Sequence, residues 1–131
     1  MAYNPSFFLI LSSPSSGLIL AVGSLSYFGS PTAPNKTASE FKQILRLAKE
    51  LTEQEGSNLY FVYLPTYKRY KKIDNNDKNY NKIKSIMNEL NIPFIDIHQK
   101  VFEKEKNPLE LFPFKMYAHY TIDGNEKIAQ T

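Results

Sequence analysis

The sequence predicts an α/β fold, a parallel sheet with flanking helices, and three observations predict it. Two short apolar runs, Asn58 to Leu64 and Pro93 to Ile97, lack polar alternation, as strands covered on both faces do. Each is preceded by a segment whose apolar residues recur at helical spacing. Helices and strands that alternate at this interval pair their strands in parallel through right-handed crossovers. With 131 residues, 42% hydrophobic and 14% aromatic, the chain has material for one modest core and too little for two ordinary domains.

The elements follow in order. No charged residue precedes Lys36, so the chain divides into an uncharged segment, 1–35, and a charged region, 36–131. The first holds two apolar runs, Phe7 to Leu11 and Leu18 to Val22, separated by Ser-Ser-Pro-Ser-Ser-Gly, which read as two short strands or a leader. Thr37-Ala-Ser-Glu40 has the spacing of a capping box, in which hydroxyl and carboxylate satisfy the free donors of a helix start. Phe41, Ile44, Leu45, Ala48 and Leu51 then define the apolar face of a helix over 38–55, stopped at Gly56. The strand Asn58 to Leu64 is ended by Pro65, and the lysine-rich stretch Thr66 to Asn79 reads as a loop. Tyr80, Ile83, Ile86, Met87 and Leu90 predict a second helix running up to Asn91. After the strand Pro93 to Ile97 come a short helical piece around Val101 and Phe102, a proline-containing loop, and a last helix capped by Thr121.

Composition excludes several classes of function. Without cysteine there is no disulfide framework, no thiol nucleophile and no cysteine zinc ligand, and two histidines far apart in sequence argue against a metal centre. No cofactor motif is present. A net charge of +3 with an isoelectric point near 9.0 speaks for solubility and weak attraction to polyanions, not for a nucleic-acid function. A secretory signal needs a positive start and a membrane span needs about 20 mostly apolar residues; neither pattern is met, so neither cytoplasm nor cell envelope is selected.

In open α/β sheets functional residues gather beyond the carboxyl ends of the strands. Three segments qualify: Pro65 to Tyr70, Asp96 to Gln99, and Met116 to Gly124. In the last, His119 stands just before a capped helix, a mounting suited to a general base. Asp96, at a strand end, is a candidate to orient it, and its plainer role is a helix cap. His98 follows a buried strand without a motif and reads as structural. Tyr67, Arg69 and Tyr70, among Lys68, Lys71 and Lys72, could bind a polyanionic strand or a phosphorylated glycan; a solvated loop is the alternative.

The stretch His119-Tyr-Thr-Ile-Asp-Gly124-Asn-Glu-Lys-Ile-Ala129 resembles the final motif of SGNH (GDSL-like) hydrolases. There a catalytic histidine is followed by an aromatic, a small polar residue, a glycine and an Ile/Val-Ala pair. Leu59 to Tyr70 and Ile92 to Asp96 resemble the last two strands of that fold, so the likeness covers about residues 38–131. It implies a flavodoxin-like parallel sheet in an incomplete three-layer SGNH fold, and acyl-ester chemistry: a serine attacks, the histidine takes its proton, and backbone donors with a glycine and an asparagine hold the oxyanion.

Only the histidine carries over directly. The family's aspartate three positions upstream is Met116 here, and no Gly-Asp-Ser occurs. Gly23-Ser24-Leu25-Ser26 is similar to it without the aspartate, making Ser24 or Ser26 the candidate nucleophile; aligned instead with the family's middle strand, the segment lacks the oxyanion asparagine at Leu25. The resemblance therefore implies an ester hydrolase or O-acyltransferase region, inactive as an isolated chain, whose substrate is an acylated small molecule or carbohydrate. The competing expectation is a non-catalytic α/β domain or gene fragment, with self-association through an exposed sheet edge.

Overall fold

The computed structural model describes residues 6–13, 17–24, 34–71, 77–115 and 119–131. Two strands open the chain, β1 (Ser6–Ser13) and β2 (Gly17–Ser24), followed by helix α1 (Pro34–Gln54) and strand β3 (Asn58–Leu64). A short helix α2 (Tyr67–Tyr70) leads to α3 (Asp77–Glu89), strand β4 (Phe94–Asp96) and the one-turn helix α4 (Ile97–Lys100). Three 3-10 turns, Phe102–Lys104, Pro108–Leu111 and Pro113–Lys115, precede the last helix, α5 (Ile122–Ala129).

The strands form one sheet in the order β2-β1-β3-β4. It is mixed, which corrects the expectation of a parallel sheet. β3 and β4 pair in parallel, Val62 opposite Ile95, but β1 is antiparallel to both β2 and β3. The cause is local: only three residues separate β1 from β2, enough for a hairpin and far short of a parallel crossover. β2, β3 and β4 consequently run the same way, with β1 reversed between β2 and β3. The α/β character holds, since β3-α3-β4 is the crossover unit that the periodicity indicated.

Side-chain alternation along β3 builds two cores. Leu59, Phe61 and Tyr63 face Phe41 and Leu45 of α1 and Tyr80, Ile83 and Met87 of α3. Val62 and Leu64 face Tyr67, Ile97, Val101, Phe102, Leu111 and Phe112 on the other side. β1 divides likewise, Leu9 packing with the first cluster and Ile10 with the second. β3 is therefore covered on both faces.

Helix ends follow the chemistry of the chain. α1 begins at Pro34, a turn before the expected cap at Thr37, because proline's fixed φ and missing donor suit a first helical position. It ends at Gly56, whose φ of 66° lets Ser57 N–H reach Thr52 O at 2.9 Å. Asn91, φ 51°, ends α3 in the same way, with Ile92 N–H on Met87 O at 2.9 Å. Across the helix pair, the Lys42 ammonium bonds the Glu89 carboxylate and holds its carboxyl below the usual range. Of the α1 residues expected in the core, Phe41 and Leu45 are buried, but Ile44 and Leu51 are 58% and 62% exposed. With Leu47 they form a row turned away from the sheet, while Thr52 takes an inward position by returning its hydroxyl to Ala48 O. The stretch expected as a loop from Thr66 to Asn79 contains α2 and the first turn of α3.

Candidate functional site

The parallel strands deliver the chain at one end of the sheet, where β3 passes into Pro65 and α2, and β4 into α4. Asp96 is the N-cap of α4; its Oδ1 accepts the Gln99 N–H at 3.2 Å. It alternates with Ile95, so its side chain points to the α3 face, where Oδ2 accepts the Tyr80 hydroxyl and lies 3.8 Å from Lys84 Nζ. The side chain is buried and its carboxylate is engaged by α3 and the cap. Tyr80 is held un-ionised well above the usual tyrosine range, first by burial, then by its hydrogen bond to the Asp96 carboxylate and that carboxylate's charge. The Arg69 guanidinium, 4.7 Å from the centre of the Tyr80 ring, opposes this shift.

Beside this pair lies a second polar chain. The Tyr70 hydroxyl is 2.8 Å from His98 Nδ1, and His98 Nε2 is 3.1 Å from Glu103 Oε1. A carboxylate only accepts, so Nε2 carries a hydrogen; when the ring is neutral, Nδ1 is the acceptor for the Tyr70 hydroxyl. His98 is buried, edge-on to Tyr80 at 5.8 Å between ring centres, and Tyr70 stacks on Phe102 at 5.2 Å. Burial raises Tyr70 far above the usual tyrosine range against the lowering effect of Arg69, so its hydroxyl is a poor acid. Both imidazole nitrogens of His98 are committed, which matches the structural role read from sequence. Tyr80 and Glu103, which complete these two networks, carried no motif; the segments after β3 and β4 that they join were the usable signal.

His119 differs. Its side chain is exposed, and it immediately precedes Tyr120, whose hydroxyl donates to Pro65 O at the carboxyl end of β3. The Tyr120 ring packs on Phe102 and Phe112 at 5.5 and 5.3 Å, in the core opposite to the α3 face. Thr121 then caps α5 as expected, its hydroxyl accepting Gly124 N–H at 3.1 Å, and its own N–H bonds Leu111 O at 2.8 Å. The backbone that follows His119 is thus fixed by Tyr120 and Thr121, while Asp96 is engaged on the other face of the sheet. Met116 lies outside the described residues.

Ser24 is the last residue of β2. In the register it stands opposite Ser6, and Ser6 stands opposite Leu64, so Ser24 occupies the sheet row of the end of β3. Two strand spacings separate these positions, roughly 10 Å. Ser26 and Leu25 lie outside the described residues. Tyr67 is buried against Phe112, Arg69 lies over Tyr80, and Tyr70 belongs to the His98 network, so both tyrosine rings are used in packing. Among the described residues no three His, Cys, Asp or Glu side chains are placed to hold a metal ion, and no helix is long and apolar enough to cross a membrane. Comparison with protein-family models, curated proteins and solved structures gives no match to this chain.

Proposed function

We propose that this chain is the histidine-bearing region of an SGNH-type ester hydrolase or O-acyltransferase, with His119 as the general base, built on an incomplete flavodoxin-like three-layer fold. The observation that carries the reading is the mounting of His119: exposed, ahead of a capped helix, and tied through Tyr120 to the carboxyl end of β3. A base there can take a proton from a hydroxyl nucleophile delivered at the same end of the sheet. The row shared by Ser24 and Leu64 supports Ser24 as the candidate in this chain. The substrate on this reading is an acylated small molecule or carbohydrate.

The isolated chain is expected to be inactive, because the Gly-Asp-Ser turn and an acid at position 116 are absent and such groups act as a unit. The test is hydrolysis of small activated esters by the chain and by His119→Ala, with labelling by a serine-directed phosphonate. Equal rates and no adduct are expected. An adduct on Ser24 or Ser26, lost together with turnover in His119→Ala, would show a complete site and overturn the inactivity. The second reading, a non-catalytic α/β domain, draws support from the engagement of Asp96 by Tyr80 and Gln99.

A further inference from the structure

A groove of about 510 Å³ lies along the outer side of β4, away from His119, lined by Asn81, Lys84, Ser85 and Asn88 of α3 and by Ile92 and Phe94. The four α3 residues recur at intervals of three or four and so share one helix face. Asn81, Ser85 and Asn88 are exposed, Ile92 is buried and Phe94 half-buried. The volume is within the range of small-ligand sites.

The chemistry of this lining narrows what it can hold. The Asn81 and Asn88 amides each offer both donor and acceptor atoms, and the Ser85 hydroxyl, whose proton goes to Glu89 Oε1 at 3.3 Å, offers an acceptor, a mixture that suits a polyhydroxylated ligand. The single formal charge, Lys84, is shared with Asp96 at 3.8 Å and Gln99 at 3.5 Å, so the groove presents no strong field to a polyanion. Phe94 gives the floor an aromatic ring held against Phe61 and Tyr63 at 5.7 and 6.2 Å between centres. An added peptide strand is poorly served. Phe61 N–H bonds Pro93 O at 2.9 Å, so by alternation only Phe94 and Asp96 turn backbone groups outward before α4 begins.

We propose that the α3-β4 groove is a binding site for a neutral oligosaccharide, one sugar ring lying on Phe94 and its hydroxyls bonded by Asn81, Ser85 and Asn88. The site is separate from His119 and does not rest on the hydrolase reading. The experiment is an NMR titration of the full chain with maltotetraose, cellotetraose and tetra-N-acetylchitotetraose. At least one should give saturable shifts at the Asn81 and Asn88 side-chain amides and at Phe94. Binding should weaken roughly tenfold in Asn81→Ala/Asn88→Ala, from the loss of two hydrogen bonds. Both asparagines are exposed, so the double variant should keep the melting transition of the parent. Phe94→Leu should also weaken binding, and His119→Ala should leave it unchanged. Silence with all three sugars, shifts centred on residues 119–122, tighter binding of heparin than of any neutral sugar, or an extended peptide perturbing only the backbone of 94–96 would each overturn the proposal.

Discussion

Removing one oxygen at Tyr120 should loosen the mounting of His119 while leaving the sheet intact. Tyr120→Phe deletes the hydroxyl that donates to Pro65 O and leaves that carbonyl without its partner. A hydrogen bond of this kind contributes about 1 kcal/mol, and an orphaned buried carbonyl costs about 1–3 kcal/mol. Tyr120 is only half-buried, so water can reach the carbonyl in part, and the expected loss is about 1–2 kcal/mol. Tyr120→Ala also removes the ring between Phe102 and Phe112, and full truncation of a buried aromatic costs about 3–5 kcal/mol; about 3 is expected here. Urea unfolding gives both values, and hydrogen exchange at Thr121 and Gly124 reports the local effect, because their N–H groups bond Leu111 O and Thr121 Oγ1. The reasoning fails if Tyr120→Phe lies within about 0.5 kcal/mol of the parent, the range of an ordinary surface substitution, with exchange at both amides unchanged.

Two further outcomes follow from the packing around this site. A Cβ at Gly124 would stand 3.0 Å from Leu111 O and 3.2 Å from Tyr120 Cβ, so Gly124→Ala should destabilise by about 1 kcal/mol. Overpacking costs about 1–3 kcal/mol and exceeds the helix-propensity gain of about 1; a stabilised variant in thermal melts would contradict it. Tyr70 and Tyr80 keep their protons in the fold far above the ordinary range, so their stabilisation is complete below about pH 10 and is lost above it as the unfolded chain ionises. Urea midpoints should fall across that window, and the ultraviolet tyrosinate signal of Tyr70 and Tyr80, assigned with Tyr70→Phe and Tyr80→Phe, should emerge well above the ordinary tyrosine range; ionisation of both within that range in the folded chain would refute this.

How much of this was legible in sequence depended on the range of the interaction. The β3 bounds, the Gly56 stop and the Thr121 cap were readable because each is decided by a few neighbouring residues. The reversal of β1 was missed because the apolar run carries no sign of its partner's direction; the short Pro-Ser-Ser connection was the available clue. Ile44 and Leu51 obey the helical period yet face outward, since periodicity gives an apolar stripe wider than the one the sheet covers. The destinations of Asp96 and His98 were not legible, because Tyr80 and Glu103 reach them through packing between α3, α4 and the turn after it, and nothing local marks those pairs.

Of the two histidines, His119 is exposed next to Tyr120, which is tied to the carboxyl end of β3, while His98 is closed between Tyr70 and Glu103. Carbethoxylation by diethyl pyrocarbonate, followed by peptide mass spectrometry at short times, reads both rings in one native sample. The account predicts that His119 is modified first in the native chain, and that His98 lags until the chain is unfolded. Equal reactivity, or protection of His119 with modification of His98, would contradict it.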